Sequence, residues 1–72
     1  MAWVPKSALG VAAYDFVQGG KYQISLQTGD EVKIVKETTD WYKGVNLRTG
    51  EEGIFPAEFI ELHSSEGKKK KR

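Results

Sequence analysis

Trp41-Tyr42-Lys43-Gly44 is the stretch that decides the fold, because it sets two large amphipathic rings side by side in a chain of 72 residues. Neighbouring side chains of an extended strand point to opposite faces, so Trp41 and Tyr42 cannot enter one core together and one ring stays on the surface. A surface tryptophan is a binding anchor, mostly apolar but carrying an N–H donor. Downstream, Gly53-Ile54-Phe55-Pro56-Ala57-Glu58-Phe59 adds a proline and further rings, and upstream lies Ala12-Ala13-Tyr14-Asp15-Phe16. These three stretches are expected to converge on one aromatic groove.

Working outward, the chain reads as short strands separated by turns. Residues 1–9 hold Trp3 and Pro5 without a sustained period and are expected to form an arm, with Trp3 either docked on the body or mobile. From Gly10 a β-like run leads through Tyr14 and Phe16 to Gly19-Gly20, a loop in which glycine supplies positive φ. In Tyr22-Gln23-Ile24-Ser25-Leu26 and again in Glu31-Val32-Lys33-Ile34-Val35, apolar residues alternate with polar ones, and Thr28-Gly29-Asp30 marks the tight turn between them.

A third strand is expected over 41–47, a hairpin turn at Arg48-Thr49-Gly50-Glu51 and a fourth strand over 52–56. Gly44, between bulky neighbours, permits close approach of another strand or marks a bulge. Pro56 cannot donate to a ladder, so Ala57-Glu58-Phe59 reads as a short 3-10 turn before a last strand at Ile60-Glu61-Leu62. The fold class is therefore all-β, a small, strongly bent antiparallel barrel of five strands or an orthogonal sandwich. Its core is expected from Ala12, Ile24, Leu26, Val32, Ile34, Gly44, Phe55 and Ile60.

Composition narrows the function. A chain this short has little interior to spare for a deep catalytic cleft. It has no cysteine, which removes thiolate zinc sites and suits a reducing compartment. No apolar run approaches the roughly 20 residues that span a bilayer, and the first ten residues lack the form of a secretion signal. The chain is expected in the cytoplasm, with recruitment to a membrane as a further expectation.

The net charge of +1 conceals an asymmetry: five of the eleven basic residues stand at 68–72, after all ten acids, leaving residues 1–67 at −4. An acidic body repels phosphate backbones, so the barrel is not expected to bind nucleic acid. The run Lys68-Lys69-Lys70-Lys71-Arg72 by itself suits an anionic membrane, a nucleic acid or a solvated linker, and disorder is expected from about Ser64. His63 is a lone imidazole, and Gly19-Gly20 lacks the Lys-Ser/Thr of a phosphate cradle. No enzyme, cofactor or metal is expected.

On these residues the chain resembles the SH3 domain, a five-stranded barrel that binds proline-rich peptides, over residues 10–62, between the arm at 1–9 and the tail at 63–72. Ala12-Ala13-Tyr14-Asp15-Phe16 is similar to the ALYDY motif, and Trp41-Tyr42 to the tandem aromatics. Ile24-Ser25-Leu26 with Thr28-Gly29-Asp30 is similar to the L-S-F and K-G-D segments, and Gly50 through Ile60 to the closing G-x-x-G-x-x-P-x-N-Y-V pattern. A narrower resemblance is to the N-terminal SH3 domains of the DOCK family, guanine-nucleotide exchange factors for Rac-type GTPases. It is carried by Trp3-Val4-Pro5 just after Met1, Gly10-Val11-Ala12, Leu26-Gln27-Thr28-Gly29-Asp30, Trp41-Tyr42-Lys43-Gly44 and Gly53-Ile54-Phe55-Pro56-Ala57.

The resemblance implies an adaptor that holds the proline-rich tail of an ELMO partner, and a domain able to fold back on the exchange region as a lid. It implies one proline slot between Tyr14 and Phe59 and a second among Phe16, Trp41, Pro56 and Phe59, with the Trp41 indole N–H donating to a ligand carbonyl. Ile54 joins this peptide-binding set. Gln23 stands where the family usually carries an acid for a ligand Arg or Lys, and Glu58 and Phe59 replace the usual Asn and Tyr. The ordinary arginine anchor is therefore missing, while Asp40 and Glu58 are placed to steer a basic flank.

Overall fold

The alternation of residues 31–56 becomes three antiparallel strands: β2 at Glu31–Glu37, β3 at Trp41–Asn46 and β4 at Glu52–Pro56. They follow β1 at Val4–Ala12 and precede a 3-10 turn at Ala57–Phe59 and β5 at Ile60–Leu62. A computed structural model describes residues 2–63; the disorder expected from Ser64 and the basic run at 68–72 lie outside the described residues. All neighbouring strands are antiparallel, in the order β4-β3-β2-β1-β5. Among the described residues no helix is long and apolar enough to cross a membrane.

The sheet wraps around one core of Ala12, Ile24, Leu26, Val32, Ile34, Phe55 and Ile60, with Gly44 also buried, as the alternation predicts. Phe55 is fully buried, which removes its ring from water at a gain of about 2–3 kcal/mol. The exposed edge of β4 is covered by the excursion at 13–30. The Ile54 amide donates to the Tyr22 carbonyl at 2.9 Å, and the Ile24 amide donates to the Ile54 carbonyl at 3.1 Å.

Three sequence expectations are corrected. Residues 4–9 are strand rather than arm: Val4 pairs with Glu37 and Pro5 with Lys36, and after a register shift Ala8 pairs with Ile34. The shift, beside a proline that cannot donate, breaks the period of two and hides the strand from pattern reading. Residues 22–26 do not form a continuous strand. Ile24 and Leu26 are buried, but Gln23 bridges Ile54 while Leu26 bridges Phe16, so the backbone partner changes within the segment. Finally, positive φ is found at Gly29 (95°) and Gly50 (78°) and not at Gly19 or Gly20. At the other end, the His63 amide donates to the Leu9 carbonyl at 2.9 Å, so pairing extends into the first residue of the expected tail.

Gly44 answers both readings made of it. It faces Ile34 just before the register shift in β2, and a Cβ there would run into the backbone carbonyl of Lys33 and meet the Ile34 Cα at 3.0 Å. Only a hydrogen fits between the two strands.

A polar cluster unrecognised in the sequence joins the turn before β2 to the β3–β4 hairpin. Asp30 is only 5% exposed and accepts from the Gln27 amide and the Asn46 Nδ2, both at 2.9 Å, and from the Arg48 Nε at 2.6 Å and Nη2 at 3.1 Å. Asn46 is fully buried and its Oδ1 accepts from the Arg48 amide at 2.8 Å. A buried carboxylate is tolerable only when its lone pairs are filled in this way. Hydrogen bonds from Arg48, aided by those from Gln27 and Asn46, hold the Asp30 carboxyl down at about 2 against its ordinary 3.8, overcoming the opposing effect of burial.

Two predictions follow from this architecture. Gly44→Ala lowers unfolding free energy by about 2–3 kcal/mol, read from the urea midpoint. The Asp30 carboxylate is favoured by the folded state, so its contribution, roughly 1–2 kcal/mol, is present above the ordinary carboxyl range and is lost as pH falls from about 4 toward 2. Arg48→Met flattens that segment of the stability–pH curve, measured by urea unfolding between pH 5 and pH 2.

Candidate functional site

The pairing of β3 with β4 divides the aromatics between inside and outside. Residues directly opposite on paired strands share a face, and here Tyr42 opposes Phe55 while Trp41 opposes Pro56. Tyr42 packs edge-on against the buried Phe55 ring, centroids 6.4 Å apart. Trp41 and Pro56 consequently stand together on the outward face, half-buried.

The loop before Trp41 is held by its own hydrogen bonds. The Thr38 amide donates to the Trp41 carbonyl at 2.8 Å, and the Trp41 amide donates to the Thr38 Oγ1 at 3.1 Å. The Ala57 amide donates to the Asp40 carbonyl at 2.9 Å, tying the 3-10 turn to that loop. Trp41, Pro56, Ala57, Thr39, Asp40 and Glu58 line a cavity of about 290 Å³, so two carboxylate residues stand beside the tryptophan. Among the described residues the indole N–H of Trp41 has no protein acceptor.

A second ridge is built from three rings. Phe59, at the end of the 3-10 turn, lies between Tyr14 and Phe16, with ring centroids 5.7 Å away in each case and interplanar angles of 71° and 87°. Such edge-to-face contacts suit the charge distribution of aromatic rings. The Ala13 amide donates to the Phe59 carbonyl at 2.8 Å, and Phe16 and Leu26 exchange backbone bonds at 2.8 and 2.9 Å. Phe16 packs against the core, whereas Tyr14 is 61% exposed. The 3-10 turn joins the two features, with Pro56 capping its start and Phe59 ending it.

Tyr14, Phe16 and Phe59 are thus brought together, as are Asp40, Trp41, Pro56 and Glu58. Gln23 and Ile54, expected in the same set, line a separate cavity of about 700 Å³ with Trp3, Tyr22 and Lys43. The Gln23 Oε1 accepts from the Gly19 amide at 2.7 Å, so its amide closes its own loop. Trp3, though exposed, lines that cavity as well. His63 is exposed, and among the described residues no three His, Cys, Asp or Glu side chains are grouped to hold a metal.

The family model for the SH3 domain matches residues 11–57, about two-thirds of the chain. The chain belongs to the SH3 domain family. Over 55 residues, 74% of this chain, it is 44% identical to sorting nexin-33 of Mus musculus and 45% identical to JNK-interacting protein 1 of Drosophila melanogaster. It spans only 9% and 11% of the length of those relatives.

Its fold is similar to that of the C-terminal SH3 domain of myosin IB from Entamoeba histolytica, with a TM-score of 0.71 at 23% identity, covering 78% of this chain and 92% of the other. A structure of that domain bound to an EhFP10(GEF) peptide gives a TM-score of 0.71 at 24% identity, covering 82% of this chain and 97% of the other. At these identities the likeness concerns the fold.

Within this SH3 domain, Asp15 positions the ridge without belonging to it. Its Oδ1 accepts from the Thr28 amide at 2.7 Å and from the Thr28 hydroxyl at 2.9 Å, and these bonds, the backbone one foremost, hold the carboxyl below its ordinary value. Asp15 follows Tyr14 and precedes Phe16, so the bond to Thr28 fixes the loop base between the two rings. The signal was present in the sequence as a turn-forming Asp, but its partner lies 13 residues away. Asp15→Ala is expected to accelerate hydrogen exchange at the Thr28 amide at least tenfold while leaving the global urea midpoint nearly unchanged.

Proposed function

We propose that the chain is a non-catalytic interaction module that binds a proline-rich segment of another protein in polyproline II form, using no cofactor. The observation that carries this reading is the indole N–H of Trp41, without an acceptor among the described residues, set beside Pro56 and joined through the 3-10 turn to the Tyr14, Phe59 and Phe16 rings. A polyproline II helix is extended before binding, so it loses little ordering entropy, and its backbone carbonyls are unpaired and ready to accept. Ring ridges separated by shallow depressions receive its prolines, and Trp41 donates to a carbonyl. Membership of the SH3 family supports this reading, as does the Entamoeba relative solved with a peptide bound.

The charge around the groove sets its preference. Gln23 supplies no carboxylate, whereas Asp40 and Glu58 flank Trp41 in one cavity. A basic flank of the ligand is therefore drawn to the side of the 3-10 turn rather than to the loop at 19–23. Phe59 in place of a tyrosine loses a hydrogen bond worth about 0.5–1.5 kcal/mol, so length or flanking contacts must make up the affinity.

The resemblance in Trp3-Val4-Pro5 and Trp41-Tyr42-Lys43-Gly44 supports a finer assignment to a DOCK-type Rac exchange factor in the cytoplasm, with an ELMO-type tail as the ligand. Amide chemical shifts are to be followed while the domain is titrated with an ELMO-type proline-rich peptide and with an arginine-flanked PxxP peptide. Saturable shifts at Tyr14, Phe16, Trp41 and Phe59, stronger affinity for the first peptide and a loss of at least tenfold (about 1.4 kcal/mol) in Trp41→Lys are expected. Absence of shifts with both peptides at millimolar concentration sinks the groove reading and favours a lid that docks on a proline-free surface.

A further inference from the structure

The turn before β2 and the tip of the β3–β4 hairpin share a sequence. Thr28-Gly29-Asp30-Glu31 and Thr49-Gly50-Glu51-Glu52 each run threonine, glycine, carboxylate, carboxylate. In both the glycine has positive φ, and a Cβ built on it would meet nothing within 4 Å, so both tips stand clear of the body. Both threonines are exposed. Asp30 is buried against Arg48, but Glu31, three residues after Thr28, is exposed and free to be read, as is Glu52 after Thr49. A hydroxyl on an open turn with a carboxylate three places on suits a protein kinase whose peptide site is basic.

The two hydroxyls differ in what they hold. Thr49 Oγ1 accepts from the Glu51 amide at 3.2 Å, a bond inside its own hairpin tip. Thr28 Oγ1 donates to Asp15 Oδ1 at 2.9 Å, beside the bond from the Thr28 amide to the same oxygen at 2.7 Å. Asp15 stands in the chain between Tyr14 and Phe16, the two rings that meet Phe59 edge to face. The Thr28 hydroxyl is thus in direct contact with the base of the aromatic ridge.

We propose that Thr28 is a phosphorylation site for an acid-directed protein kinase, and that its phosphate releases the Tyr14 and Phe16 rings and weakens the groove. This rests on the groove reading above. The γ-phosphoryl group of ATP passes to Thr28 Oγ1: a P–O bond forms there, the bond to the bridging oxygen of ADP breaks, and the hydroxyl proton goes to the base of the kinase. Phosphothreonine has no hydroxyl hydrogen to give Asp15 and sets a charge of about −1.5 to −2 against that carboxylate. Asp30 and Glu31 add to the repulsion. Arg48, the cation bonded at this turn, already donates twice to Asp30, and drawing it away would strand a buried carboxylate.

The test has two arms, both on the full chain. In the first, the protein is incubated with ATP, magnesium and a kinase that requires a carboxylate three residues after its target, and modified residues are located by fragmentation mass spectrometry. Phosphate is expected at Thr28, and Glu31→Gln is expected to lower incorporation there at least tenfold while leaving Thr49 unchanged. In the second, chains made by total synthesis with phosphothreonine at 28 or at 49 are titrated with a proline-rich peptide. Phosphate at Thr28 is expected to weaken binding at least tenfold, to shift the Tyr14, Asp15 and Phe16 amides before any peptide is added, and to speed exchange of the Thr28 amide at least tenfold. Phosphate at Thr49 is expected to change affinity by less than about twofold. In Asp15→Asn, which keeps an acceptor but no charge, phosphate at Thr28 is expected to cost less than about threefold.

The site is overturned if Thr28 stays unmodified in the first arm. The switch is overturned if phosphate at Thr28 leaves affinity within about twofold, if phosphate at Thr49 weakens binding as much, or if Asp15→Asn shows the same loss. If the unmodified chain binds no proline-rich peptide, the groove reading fails by itself, and the ligand-free shifts and the Thr28 exchange rate still decide whether the phosphate opens the ridge.

Discussion

The alternation along β4 is the constraint on which both the core and the groove depend. Phe55 is fully buried, so Pro56 must point outward, and the antiparallel register then places Trp41 beside it and Tyr42 opposite Phe55. A slip of one residue between β3 and β4 would bury the tryptophan wall and expose the core ring. Gly44 guards that register from the other side, because its lack of a side chain lets β3 approach β2 as closely as it does. The Trp41–Pro56 pair is thus the outer side of the same rungs that close the interior.

The excursion at 13–30 contributes the remaining rings, and it is held at each level by a different kind of contact. Asp15 with Thr28 closes its base through a charged acceptor, Phe16 with Leu26 pairs backbone to backbone, and Tyr22 to Ile24 engages the edge of β4 through Ile54. Asp30 then locks the returning chain to Asn46 and Arg48 of the opposite hairpin. A loop of that length would otherwise sample many conformations; these cross-links restrict it, which lowers the entropy that the loop itself has left to lose.

Charge is distributed unevenly over this support. Carboxylates gather beside Trp41 at Asp40 and Glu58, whereas the neighbouring cavity carries both signs together with Trp3, Tyr22 and Ile54. The two cavities therefore differ in chemistry, one acidic beside an aromatic ring and one with charges of both signs around apolar side chains.

Much is legible in the sequence itself. Ile24, Leu26, Val32 and Ile34 declare the inward face through strict alternation, Gly29 and Gly50 mark turns, and Pro56 ends its strand where it must, for lack of a donor. Tyr14, Phe16 and Phe59, named from motif spacing, pack edge to face, while Trp41 and Pro56 stand opposite one another on β3 and β4. These features are local, set by side-chain volume, backbone torsion and a period of two. What tertiary structure alone decided is non-local. The strand at residues 4–9 was concealed by a register shift beside Pro5, the Asp30–Asn46–Arg48 cluster joins residues 16 and 18 positions apart, and Gln23 and Ile54 were drawn into a different cavity from the other site residues. Trp3 lines one cavity with Ile54 only because the sheet folds round to bring the first residues of the chain near β4. Periodicity records which way a side chain points, but the partner it meets there depends on how the whole sheet closes.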